Sequence, residues 1–187
     1  MAPQPAEIDQ ARQLLRSSCD GIAAATVGLS EAQFNFKPAP DSWSIAEILE
    51  HVAMVHAVVL GPVRQGLAAA PPPPADRDYR RADALIVNRL PDRSGRFNGP
   101  AAVHPAGRST PAASVEAVRS GTTALIEYLE NTPDLRRHAI ESLPMKAISS
   151  GEYDTMDGYQ WILAAAGHAA RHTLQIEEVK ANPNYPK

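Results

Sequence analysis

An all-α fold, a four-helix bundle with a long crossover connection between helices two and three, is predicted by three features of this 187-residue sequence. Apolar residues recur at three- and four-residue spacing over four stretches of bundle length. No stretch carries the two-residue alternation of a half-buried strand. Between the second and third stretches lies a proline- and arginine-rich link of about 40 residues, long enough to return along a helix and leave the two helices it joins parallel. The length suits one domain spanning residues 1–187.

Helix one is expected from about Glu7 to Val27, with Ile8, Ala11, Leu15, Cys19, Ile22 and Thr26 along one face. Cys19 is the single cysteine, so no internal disulfide or two-cysteine metal site can form. Its place in the stripe predicts a core thiol rather than a nucleophile. Pro38 and Pro40 make residues 28–41 a connection.

Ser44 and Glu47 form a capping box, and Trp43 can staple onto Ile48, so the start of helix two is well marked. Ile45, Ile48, Val52, Val55 and Val59 make its inward stripe, and His51 lies on the same side. His56 is about 140° round the helix from His51 and is expected to be peripheral. Helix two should end between Gly61 and Ala70, because Pro71 to Pro74 form a stiff segment without amide donors.

The link that follows sets Arg77, Arg80, Arg81, Arg89, Arg93, Arg96 and Arg108 among Asp76, Asp78, Asp83 and Asp92, with a short helix expected from Ala82 to Leu90. The arginines read as a solvated, partly self-paired surface; the alternative is that one or two reach an anionic substrate. Val115, Val118, Thr122, Leu125 and Leu129 predict helix three over about Ala112 to Glu130, followed by a second connection through Leu143-Pro144 and Gly151. Asp157 and Gln160 form a further capping box, with Met156 and Trp161 as staple, opening helix four, which should run to about Lys180. His104 and His138 fall in connections and are expected to be exposed.

Helix four carries His168 and His172, four residues apart and therefore on one face, close enough to converge on a single ion. A pair of hydrogen-bonded core histidines is the competing reading until a third donor is found. His51 is the candidate third donor: with helices two and four antiparallel, the three imidazoles lie at similar depth. Three nitrogens leave coordination positions open, the pattern of a catalytic site, and an all-nitrogen set suits zinc, nickel, iron or copper. Glu47, Glu50 and Glu177 are expected to be a cap and solvated or supporting groups, and Gln175 could orient a ligand or be a polar edge residue.

A formal net charge of −3 disfavours a nucleic-acid partner. Residues 1–10 lack the basic and apolar regions of a secretory signal, and no run is expected to reach the ~18 apolar residues that a membrane span needs. The expectation is a cytoplasmic protein with no membrane partner.

Trp43-Ser44 leading to His51, together with Gly167-His168-x3-His172-x2-Gln175, resembles the DinB-like superfamily of metal-binding four-helix bundles. His104-Pro105 and the closing Asn182-Pro183-Asn184-Tyr185-Pro186 fit the same sequence habits. The resemblance implies a three-histidine site at His51, His168 and His172 for one divalent ion (zinc, nickel or iron). It also implies a metal-dependent S-transferase that borrows a low-molecular-weight thiol, such as mycothiol or bacillithiol, to act on a small-molecule substrate. The alternatives are a metal-dependent hydrolase and a non-catalytic metal-binding module that pairs as a homodimer. Neither catalytic nor thiol-binding residues are assigned by the resemblance.

Overall fold

The computed structural model describes residues 2–95, 99–107 and 109–187. Arg96 and Arg108 of the link lie outside the described residues. Four long helices make the bundle: α1 (Pro5–Thr26), α3 (Ile45–Val58), α6 (Pro111–Asn131) and α8 (Gly158–Lys180). Helix α3 does not stop at Val58. A π-helical turn over Val59–Val63, containing Pro62, carries it into α4 (Arg64–Ala69). Proline offers no amide to the preceding turn, and widening that turn lets the helix pass through the defect instead of breaking.

The directions of the four helices follow from cross-contacts. Tyr159 Oη donates to the Glu7 carbonyl and Lys180 Nζ to that of Ala25, so α1 and α8 are parallel. Glu50 accepts from Gly107 just ahead of α6, and His56 packs against Gly121 nearly three turns into it, so α3 and α6 are parallel as well. Arg12 pairs with Glu130, which makes α1 and α6 antiparallel. Leu67 faces Gly158 while Trp43 faces His172, which makes α3, with its α4 extension, antiparallel to α8. The order is thus up, down, down, up, and the crossover expected between the second and third long helices is what permits it.

Two apolar clusters fill the interior. Leu15, Ile86, Leu125, Leu129, Met145, Tyr159 and Ile162 lie in one, and Ile22, Ile45, Ile48, Leu49, Val52, Ala169 and Ile176 in the other. Both capping boxes read from the sequence form. Ser44 Oγ accepts from Glu47 N while Glu47 accepts from Ser44 N, and Asp157 and Gln160 do the same for α8.

Several expectations are corrected. Residues 28–41 contain a short helix, α2 (Glu31–Asn35), capped by Ser30 with Gln33. The link helix, α5, runs Tyr79–Arg89 from an Asp78 cap. The second connection holds α7 (Leu143–Ile148) and a two-stranded antiparallel ribbon of β1 (Ala139–Glu141) and β2 (Thr155–Asp157), with Ile140 opposite Met156. Cys19 is half-buried at the edge of a groove between α1 and α6, not in the core. His138 is partly buried and bonded to the Ala70 carbonyl rather than exposed. Arg77 is buried, with Nη2 bonded to the Thr155 carbonyl and Gln160, so the link's arginines are not all surface groups. Finally, the helix Ile45–Ala69, 25 residues long, is long and apolar enough by length and composition to cross a membrane, which the sequence reading did not expect. Here its inward face packs on α6 and α8 and carries His51 and His56 into the interior.

A candidate metal centre

Three imidazoles meet where α3 crosses α8. His51 closes the second turn of α3, its height set by the Ser44 cap, and His168 and His172 lie one turn apart on α8. The three rings converge. His168 Nε2 is 3.0 Å from His51 Nε2 and 3.1 Å from His172 Nε2, and one nitrogen from each ring lies within 4.8 Å of the others. Two nitrogens bound at ~2.0–2.1 Å to one ion cannot be further apart than about 4.2 Å, so the two short edges suit a common ion.

Hydrogen bonds decide which nitrogen of each ring carries a lone pair. His51 Nδ1 is 2.6 Å from the Val103 carbonyl oxygen, which can only accept, so Nδ1 is protonated and Nε2 is a bare acceptor. His172 Nδ1 lies 2.8 Å from Gln175 Oε1, with the same consequence. Two lone pairs therefore face His168 Nε2. His168 Nδ1 is buried with no hydrogen-bond partner. Without a cation, only one proton on His168 Nε2 could separate two acceptors. With one, all three Nε2 lone pairs have a common target, and the donor set fits an ion such as zinc or nickel.

Electrostatics keep the rings neutral, as ligation requires. Burial pushes the pKa of His172 down to about 3, with further lowering from His51. Burial likewise lowers His168, reinforced by His172 and His51, and lowers His51 despite the opposing Val103 carbonyl. Trp43 walls one side, its ring 4.8 Å from that of His51 and 6.4 Å from that of His172.

The carboxylates of α3 are engaged elsewhere. Glu47 closes the cap and binds Lys37 at 2.7 Å, while Glu50 accepts from the amides of Ala106 and Gly107. Gly107 has φ +65, a conformation open to glycine, and this turns its N–H toward Glu50. Glu177 pairs with Lys180. Among the described residues, no carboxylate hydrogen-bonds to the three imidazoles.

His51, His168 and His172 are thus brought together as the spacing predicted. His104 is exposed, as expected, and its Nε2 donates to the Gly99 carbonyl. His56 is outside the cluster but is not peripheral to the fold: it is 1% exposed, with its ring against Gly121, where a Cβ would fall 2.9 Å from Nδ1. Two supporting groups had no signal in the sequence. The Val103 carbonyl comes from the crossover, where any residue type could supply it. Arg93, which touches Gln175 at 3.4 Å, looked like one surface arginine among several.

Comparisons with known proteins agree with this architecture. YuaE of Bacillus subtilis (strain 168), an uncharacterized protein, is 24% identical over 157 residues, covering 82% of this chain and 86% of YuaE. The solved structure of YfiT from Bacillus subtilis, described in its title as a probable metal-dependent hydrolase with an unusual four-helix bundle topology, superposes with a TM-score of 0.63 at 11% identity, covering 99% of this chain and 92% of YfiT. A family model described as the DinB superfamily matches residues 7–176, and the protein belongs to that superfamily.

Proposed function

We propose that this protein binds one divalent metal ion through Nε2 of His51, His168 and His172, and that the site activates a small thiol for transfer to an electrophilic small molecule. The observation that carries this reading is the convergence of three neutral imidazoles whose lone pairs are aimed at one another, at 3.0 and 3.1 Å. A divalent ion held by three nitrogens keeps open positions, where it can hold a thiol as thiolate or lower the pKa of water to ~7. The chain's own groups set the rest. Val103 and Gln175 fix the ring orientations, Trp43 shields one side, and burial withholds protons from the rings.

Thiol transfer is favoured over hydrolysis because, among the described residues, no carboxylate hydrogen-bonds to the imidazoles, and because the single cysteine, Cys19, lies at the α1–α6 groove and offers the site no thiol of its own. A thiol needs little help to ionise beside a cation, whereas hydrolytic sites commonly add a general base. The reading takes the protein to act in the cytoplasm, where small thiols are kept reduced. Hydrolysis is the second reading, supported by the fold shared with YfiT, whose title names a probable metal-dependent hydrolase.

Calorimetry with zinc and with nickel tests the metal site. One ion per chain is expected, with the affinity lost in His168→Ala and in the His51→Ala, His168→Ala, His172→Ala triple variant; a stoichiometric ion in the triple variant sinks the assignment. The loaded protein should then bind one of bacillithiol, mycothiol, glutathione or coenzyme A and consume a model electrophile. If no thiol binds and an ester or amide is cleaved, hydrolysis takes its place.

The metal is not expected to hold the bundle together, because two capping boxes and two apolar clusters already do so. Far-ultraviolet circular dichroism after chelation should keep the helical signal. Loss of most of it would assign the ion a structural role, as in small zinc domains.

A further inference from the structure

We infer that Arg93 is a positioning residue for the metal site: acting through the Gln175 amide, it holds His172 in the tautomer whose Nε2 lone pair faces His51 and His168. The inference rests on the metal reading for its purpose, but its geometry stands independently. Arg93 follows α5 about midway along the crossover. Its Nε and Nη2 grip the two carboxylate oxygens of Glu178 at 2.6 and 2.5 Å. That fork fixes the guanidinium plane, and the remaining Nη1 is directed at Gln175 Oε1, 3.4 Å away. The same oxygen takes the proton of His172 Nδ1 at 2.8 Å.

A glutamine alone does not select a tautomer. Its amide can turn over and present NH2, which would bond a bare Nδ1 and leave the proton on Nε2, pointing at His168 Nε2 and unable to ligate. Arginine has donors only. Turning the amide beside Arg93 would set NH2 against a cationic N–H, so the guanidinium keeps the oxygen inward and Nδ1–H is the tautomer that remains. His51 needs no such latch, because the Val103 carbonyl cannot donate. The two rings differ for this reason: one is oriented by the backbone of the crossover, the other by a side chain of the crossover through a relay on α8. Gln175 and Glu178, three residues apart, lie on one face of α8 and can meet the same guanidinium.

The plain structural alternative is that Arg93 only ties the crossover to α8 through Glu178. Glu178→Ala, which removes that tie and the brace on the guanidinium but keeps its donors beside Gln175, separates the two by degree. Nitrogen-15 histidine spectra of the metal-free protein, recorded with chelator present, should show His172 protonated at Nδ1 in the parent. Arg93→Met and Gln175→Leu should give a mixture of tautomers, with Arg93→Lys recovering part of the parent pattern and Glu178→Ala, which keeps the guanidinium but not its brace, falling between the parent and Arg93→Met. Zinc affinity should fall about 10–100-fold in Arg93→Met, the range found when groups orienting a ligand are removed. The inference is overturned if Arg93→Met keeps His172 wholly in the Nδ1–H form, or if Glu178→Ala perturbs the tautomer as strongly as Arg93→Met does. A parent protein that binds no zinc would overturn the metal reading instead, and the metal-free spectra would still decide the role of Arg93.

Discussion

Replacing Arg136 with alanine is expected to lower the unfolding free energy by about 3–5 kcal/mol at pH 7, the range for breaking a buried ion pair from one side. The residue is 2% exposed and joins four parts of the chain. Nη2 bonds Glu7 of α1 at 2.8 Å and Asp83 of α5 at 2.6 Å, and Nη1 bonds Asp157 at 3.1 Å, where β2 passes into α8. The guanidinium also lies over the rings of Tyr159 and Tyr79, 4.2 and 5.1 Å from their centroids. Burial works against its charge, but the bond to Asp83 and the fields of Asp157, Asp83 and Glu7 more than offset this and raise its pKa. Asp157 is wholly buried and caps α8 through the Gln160 amide, so without Arg136 its charge would have no counterion. Burial has already brought its pKa up to about 6 against the pull of Arg136. The loss in Arg136→Ala should therefore shrink at pH 5, where Asp157 can take a proton instead. Urea denaturation at both pH values measures this, and a deficit below about 1 kcal/mol at pH 7 would reduce the cluster to the weight of a surface pair. Arg136→Lys keeps the charge but not the fork or the stacking, and an intermediate loss is expected.

What could be read in advance was whatever is written locally. The Ser44 and Asp157 boxes place their acceptor and donor three residues apart, so they mark helix starts without knowledge of the fold. His168 and His172 share a face by helical geometry alone, and His51 joins them once the apolar stripe of α3 is turned inward. The crossover is legible from its length. Long-range partners are not. Nothing near Arg136 in sequence foretells Glu7, Asp83 and Asp157, and the Val103 carbonyl carries no side-chain identity at all. His56 shows the same limit. Its angle from His51 was right, but its burial depends on Gly121 of α6, whose missing side chain makes room for an imidazole. The three-residue strands are too short to show a period, and Ser30 with Gln33 was masked by the prolines that follow.

The metal-free protein is expected to lose stability as the pH falls from about 6.5 toward 4, and His56 should account for about 3 kcal/mol of that loss. Burial holds the neutral form of His56 in the folded chain and lowers its pKa from 6.5 to about 4, although the Val118 backbone opposes the shift. A histidine with a depressed folded pKa contributes its full stability above the unfolded value of about 6.5, and this is lost as the unfolded chain takes up protons that the folded chain refuses. His172, lowered to about 3, acts in the same direction, as do His51 and His168. Asp157 acts oppositely, since a raised folded pKa favours the native state at acid pH, but it is one group against four. Urea midpoints measured with chelator between pH 7 and 4.5 should therefore fall with pH. His56→Leu removes the titrating ring and two buried nitrogens that make no well-formed hydrogen bond, the Val118 backbone being their one polar neighbour to act on the ring, so at pH 7 its cost should be small while the acid slope becomes shallower. A His56→Leu curve parallel to the parent's across the whole window would show that His56 is protonated alike in the folded and unfolded chains, and the acid sensitivity would then belong to the triad alone.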